Sequence, residues 1–353
     1  MSKFTVQGRH QLKGEVCVGG SKNAALPILA ATILADGICT VRNVPDISDV
    51  HTFLGILETL GAVTTFKNHT VTVDSSKVKP AHIEHAQVKK MRASILILGP
   101  LLGKFGEVRL AFPGGCVLGK RSIGAHIHAL SELGAEILES NDDIYLRAKK
   151  LRGKKIIMTE ASVTATENAV MAAVMAEGVS EIHCAAMEPH VQDLCNFLIA
   201  MGAKISGIGT PNLTISGGRK LRGVEYAVAP DYLEAGTFAL AGVLTNSHIT
   251  ITHMNPGHLD SFWQALREVG ANFKLGENEV EIFPRNGLRA LEKLQTAVYP
   301  GYPTDLQAPF AVLLTQCEGT TQINETLFDG RLNYLFELEK MGADIKILNP
   351  HQA

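Results

Sequence analysis

A helix-ending Gly-Ala pair, followed at once by a strand-like segment, recurs along this chain and commits it to a repeat architecture. The pairs are Gly61-Ala62, Gly134-Ala135, Gly202-Ala203, Gly270-Ala271 and Gly342-Ala343, so successive glycines lie 73, 68, 68 and 72 residues apart. Glycine just past a helix supplies the left-handed turn that stops it. The helix before each pair is amphipathic, as in Leu259-Asp260-Ser261-Phe262-Trp263-Gln264-Ala265-Leu266-Arg267, with one face for a core and one for water.

A second helix precedes each of these, spanning roughly residues 24–36, 92–105, 166–177, 234–246 and 305–318. Its faces are apolar nearly all round, which predicts burial. A β-branched strand lies between the two helices (107–111 and 249–252 are examples), and a hairpin such as 63–66 with 70–73 follows the Gly-Ala pair. Each unit therefore reads αβαββ, an α/β design with buried helices, and short strands at 4–7 and 15–18 stand outside it. In the fifth unit, residues 344–348 read as a strand and the return strand is missing before Ala353. Completing two sets of three units takes about 70 more residues at this period, so the last unit is expected to be truncated.

With 353 residues, 46% hydrophobic and 19% charged, the chain has material for two domains. A formal net charge of -2 and the absence of a Lys/Arg run predict no nucleic-acid partner. The first residues lack a signal-peptide pattern, and no apolar run reaches the ~18 residues of a membrane span. Cytoplasmic localisation and no membrane insertion are expected. Six scattered cysteines without a CxxC pair argue against disulfides or a zinc site. Cys17, Cys39, Cys184, Cys195 and Cys317 sit in apolar patterns and are expected to pack as small hydrophobes.

Cys116 differs. It lies in Pro113-Gly114-Gly115-Cys116-Val117-Leu118-Gly119-Lys120-Arg121, a glycine-rich loop with cations four and five residues downstream. Nearby positive charge favours a thiolate; a surface turn that happens to hold a cysteine is the plain alternative. Lys22 and Asn23 follow Gly19-Gly20-Ser21 at a helix start, where backbone N–H groups favour anions, although a loop lysine facing solvent fits equally well. Arg92 also opens a buried helix, where a cation opposes the macrodipole unless an anion binds. Asp305, at another helix start, suits either capping or proton transfer. His126 and His128, on one helical pattern, read as packing or hydrogen-bonding residues rather than catalysts.

Taken with Gly19–Pro27, Met91-Arg92-Ala93-Ser94, Glu188-Pro189 and Tyr302-Pro303-Thr304-Asp305-Leu306-Gln307, the cysteine loop makes the whole chain resemble the enolpyruvyl transferases of the EPSP synthase family. The resemblance implies two inside-out α/β barrel domains, each of three units. One would span 22–229 and carry the cysteine loop at 112–122; the other, incomplete, would combine 1–21 with 230–353. The implied substrate cleft lies between them. The activity implied is transfer of the enolpyruvyl group from phosphoenolpyruvate to the 3-hydroxyl of UDP-N-acetylglucosamine, a peptidoglycan step blocked by fosfomycin, with no metal or organic cofactor. It assigns catalysis to Cys116, Asp305 and Lys22, and phosphoenolpyruvate binding to Lys22, Asn23 and Arg121. UDP-N-acetylglucosamine falls to Arg92, Arg121, Ser122, Ile123, Gly124, Ala125, Ser162, Val163, Thr164, Asp305 and Leu327. Glu188, Asp231 and Arg331 match supporting positions. Many family members carry Lys where this chain has Ser48 and Glu160, which predicts weaker diphosphate affinity. A non-catalytic nucleotide-sugar binder and a shikimate-3-phosphate transferase stay open as alternatives, as does oligomeric state.

Overall fold

The computed structural model, which describes residues 3, 5–8, 10–83, 91–111, 123–138 and 143–353, places a helix before every Gly-Ala pair. The first repeat contains α1 (Lys22–Ala31) and α2 (Ser48–Thr59). The second contains α3 (Leu98–Phe105) and α4 (Gly124–Glu132), and the third α5 (Val163–Ala173) and α6 (Pro189–Met201). α7 (Tyr232–Leu244) and α8 (Asp260–Glu268) form the fourth; α9 (Gln307–Leu314) and α10 (Leu335–Lys340) belong to the fifth. The capping glycines Gly61, Gly134, Gly202, Gly270 and Gly342 all have φ between 89° and 113°. The alanine after each donates its N–H five residues back, from Ala62 to Leu57 O at 3.0 Å and from Ala203 to Leu198 O at 2.9 Å, for example. This bond satisfies a carbonyl that the helix end leaves open.

Helices α1 and α5 are the innermost elements of their unit. Every residue from Ala24 to Leu34, and from Ala165 to Ala173, is buried. Each fully buried Leu or Ile there contributes about 1.5–3 kcal/mol relative to exposure. α8 is two-faced instead, burying Phe262, Trp263, Ala265 and Leu266.

The sheets contain a strand that the αβαββ reading lacks. A short segment pairs in parallel with the strand after each buried helix: Glu225–Ala227 with Ile38–Arg42, Lys155–Ile157 with Val179–His183, Lys13–Cys17 with His248–Thr252, and Lys293–Gln295 with Gln322–Asn324. In the second repeat, Ile83 makes the same parallel bridge to Leu110. The hairpins then add antiparallel strands, giving orders such as Lys13–Cys17, His248–Thr252, Glu279–Phe283, Asn272–Leu275.

Two compact units result, Gly20–Ala229 and Met1–Gly19 with Pro230–Ala353. Each has its own hydrophobic core, one centred on residues such as Ile28, Leu57 and Val170, the other on Phe262, Trp263 and Phe310.

Three expectations need correction. Residues 5–8 carry no strand. Residues 344–348 are irregular rather than a strand, because no described strand lies alongside to take their hydrogen bonds; the chain instead closes on Ile323 through Ala353, with N–H to O distances of 2.8 and 3.1 Å. Cys17 and Cys184 are exposed, whereas Cys39 and Cys195 are buried and Cys317 is half-buried. Cys17 ends a strand whose residues point mainly to solvent. Cys184 takes a left-handed turn position, φ 57°, directly after its strand, the place held by Asn43 and His253 in two other repeats.

Candidate active site

In the unit Gly20–Ala229, the residues singled out above gather at helix starts. Ser21 is the N-cap of α1 but makes no side-chain cap bond, and its buried hydroxyl has no hydrogen-bond partner among the described residues. The first-turn amides and their partial positive charge are therefore left for other acceptors. Lys22 extends from this turn, its Nζ 3.3 Å from Asp49 Oδ2 in the first turn of α2. The approach before it demands glycine: a Cβ on Gly20 would sit 1.6 Å from Asn43 O. Asn23 is half-buried beside Lys22.

Arg92 opens the 3-10 turn Arg92–Ile97 that leads into α3. Ile123 is the N-cap of α4, with Gly124 and Ala125 at its start. Ser162 is the N-cap of α5, again with no side-chain cap bond, and Val163 and Thr164 follow. One histidine joins these pieces. His126 Nε2 lies 3.1 Å from Thr164 Oγ1, and its Nδ1 lies 3.0 Å from Asn168 Nδ2. The Asn168 amide is oriented by its other bonds: Oδ1 accepts from Gly99 N at 2.6 Å, and Nδ2 donates to Ile95 O at 3.0 Å. An amide nitrogen only donates, so Nδ1 accepts and the ring proton sits on Nε2, facing Thr164. Burial, reinforced by the Arg92 charge, pushes His126 down to about 4, which matches a neutral ring. His128 Nε2 meets Ile157 O at 3.0 Å. Ser48 and Glu160 are both exposed.

A buried acid lies one turn further along α5. Glu167 is 1% exposed, and its Oε1 has no hydrogen-bond partner among the described residues. Burial first, and then the field of Glu188 at the N-cap of α6, hold its carboxyl well above the usual carboxylate range. The same burial pushes the Cys195 thiol up to about 12, so this cysteine is a packing residue.

The other unit holds Asp305 and Leu327. Asp305 lies in the 3-10 turn Thr304–Leu306 before α9 and forms an ion pair with Arg331. The Arg331 guanidinium also lies over the Phe328 ring, 5.3 Å from its centroid. Glu325, which the sequence did not single out, accepts from Leu327 N at 2.9 Å, Phe328 N at 3.2 Å and Thr304 Oγ1 at 2.8 Å. Only its position two residues before Leu327 hinted at this. Asp231 caps α7, accepting from Leu233 N at 2.9 Å. The site residues thus form two groups, Lys22, Asn23, Arg92, Ile123–Ala125 and Ser162–Thr164 in one unit, Asp305 and Leu327 in the other. Cys116, Arg121 and Ser122, with the loop 112–122, lie outside the described residues. Among the described residues no group of His, Cys, Asp and Glu is placed to hold a metal, and no helix is long and apolar enough to cross a membrane.

Buried helices wrapped by small sheets, in repeats that start at polar helix ends, define an enolpyruvyl-transferase-type fold. The enolpyruvyl transferase NikO from Streptomyces tendae superposes with a TM-score of 0.85 over 97% of this chain and 81% of NikO, at 24% identity. EPSP synthase from Acinetobacter baumannii gives 0.70 over the same shares, at 19% identity. Residues 6–352 match the family described as EPSP synthase (3-phosphoshikimate 1-carboxyvinyltransferase), and the chain belongs to this family of transferases. Among relatives, the UDP-N-acetylglucosamine 1-carboxyvinyltransferase of Wolinella succinogenes is 43% identical over 98% of this chain and 83% of its own length. Its counterparts from Campylobacter hominis and Cellvibrio japonicus are 42% and 43% identical, over 84% and 83% of their lengths.

Proposed function

We propose that this chain transfers the enolpyruvyl group of phosphoenolpyruvate to the 3-hydroxyl of UDP-N-acetylglucosamine and releases phosphate. The observation that carries the reading is 43% identity across 98% of the chain to a protein named for that reaction. Asp305 takes the hydroxyl proton as the sugar oxygen attacks C2 of phosphoenolpyruvate. The thiol of Cys116 gives its proton to C3, forming a tetrahedral phosphoketal. Return of a C3 proton to the thiolate, as the C–O bond to phosphate breaks, restores the double bond in the product. Lys22, Asn23 and Arg121 balance charge on the phosphate and carboxylate. Arg92, the stretches 121–125 and 162–164, and Leu327 hold the nucleotide sugar. The reaction is the first committed step of peptidoglycan synthesis, in the cytoplasm, with Cys116 as the site of fosfomycin alkylation.

The test is phosphate release and product mass with UDP-N-acetylglucosamine or shikimate 3-phosphate as acceptor. Turnover with the sugar nucleotide alone is expected, and Cys116→Ala should lower it by about 10²–10⁴-fold, the usual weight of a general acid. Turnover only with shikimate 3-phosphate, or binding of the sugar nucleotide without phosphate release, would replace the reading by one of its alternatives.

A further inference from the structure

Asp305 is held in a closed ring of interactions, and one buried residue closes it. Thr304, its chain neighbour, donates its hydroxyl to Glu325 Oε2 at 2.8 Å. Oε1 of the same carboxyl accepts from Leu327 N at 2.9 Å and Phe328 N at 3.2 Å. The Phe328 ring carries the Arg331 guanidinium at 5.3 Å, and Arg331 returns to Asp305 through the ion pair. Glu325 is 1% exposed, whereas the Asp305 side chain is 46% exposed. The outer acid therefore keeps a solvent-facing side beside its ion pair, and the inner one is spent on holding.

The inner acid is anchored in turn. Its backbone N–H donates to His351 O at 2.8 Å, and its carbonyl lies 3.1 Å from His351 Nδ1. A carboxylate offers lone pairs for all three of its donors without giving a proton back. Side chains that fix another group's orientation matter to rate because small misplacements of reacting atoms are costly.

We propose that Glu325 is a positioning residue for Asp305, setting its carboxylate through the Thr304 hydroxyl on one arm and the 327–331 turn on the other. The inference rests on Asp305 being the group that takes the sugar hydroxyl proton.

Glu325→Leu fills a similar volume with no hydrogen-bonding atom, so it cuts both arms, whereas the NH₂ of a glutamine would simply donate to the Thr304 hydroxyl in reverse. Thr304→Val cuts the Thr304 arm alone, and Thr304→Ser retains the hydroxyl. We expect kcat to fall about 10- to 100-fold in E325L and in T304V, with KM for UDP-N-acetylglucosamine holding in T304V. The double variant should fall no further than E325L alone, and T304S should restore the rate. Carboxyl ¹³C NMR, with the Asp305 signal assigned through Asp305→Asn, gives a readout independent of turnover. That signal should move in E325L and T304V and stay in place in T304S. Should the wild type release no phosphate, the functional reading fails, and the NMR result alone decides whether Glu325 positions Asp305. An unmoved signal in T304V overturns the proposal, as does a wild-type kcat in E325L.

Discussion

Burial decides what each ionisable side chain does here. Lys22, Arg92 and Asp305 stand at helix starts with exposed or half-exposed side chains, Lys22 and Asp305 in ion pairs that solvent reaches. Glu167 is the opposite case: fully enclosed, with one oxygen unmatched among the described residues and another acid nearby. Its carboxyl is raised in the fold, so between pH 4.5 and that raised value the unfolded chain gives up a proton that the folded chain keeps. The stability it lends is thus complete at acid pH and drains away as pH rises, by about 1.4 kcal/mol per unit. Glu167→Gln removes the titration. Urea unfolding should show the variant near wild type at pH 4.5 and more stable at pH 8, a gap that closes if Glu167 ionises freely.

Helix ends are the elements' working parts, and two glycines separate conformation from space. Gly202 closes α6 at φ 113°, and an added Cβ would meet only Lys220 O at an ordinary 3.7 Å. Any loss in Gly202→Ala therefore comes from forcing an L-residue into a left-handed position, about 1–2 kcal/mol. Gly55 lies inside α2 with nothing within 4 Å of its would-be Cβ. Gly55→Ala is expected to stabilise by about 0.5–1 kcal/mol. Thermal or urea melts of the pair should move in opposite directions; the same sign in both would contradict the capping argument.

For the molecule as a whole, what could be read from sequence was what local chemistry dictates. Buried helices announced themselves by apolar faces all round, and the Gly-Ala pairs marked the ends of the outer ones. The strands Glu225–Ala227, Lys155–Ile157 and Lys293–Gln295 were invisible because each has three residues and is held by a partner from another part of the chain. Residues 344–348 looked like a strand yet formed none, since alternation supplies a face but not a neighbour. Site residues followed the same rule. Lys22, Arg92, Ser162 and Asp305 open helices and so stand out in the sequence as candidates, whereas the hydrogen bonds of Glu325 and of the His126–Asn168 pair arise only from tertiary burial. A bound nucleotide sugar should stabilise the folded chain by about 2.7 kcal/mol at a hundred times its Kd. A rise in Tm with UDP-N-acetylglucosamine and none with shikimate 3-phosphate is the expected pattern, and the reverse would reassign the acceptor.

The strand Lys13–Cys17 finds its parallel partner at His248–Thr252, and Leu12 N reaches Ser247 Oγ across 235 positions. On the ribosome, this segment emerges well before its partner and must wait, its amides turned to water, until more than two hundred further residues have been added. Meanwhile Glu225–Ala227 can already complete its pairing with Ile38–Arg42. Biosynthesis therefore supplies the partner of Ile38–Arg42 before that of Lys13–Cys17, although Lys13–Cys17 is the earlier of the two to be translated.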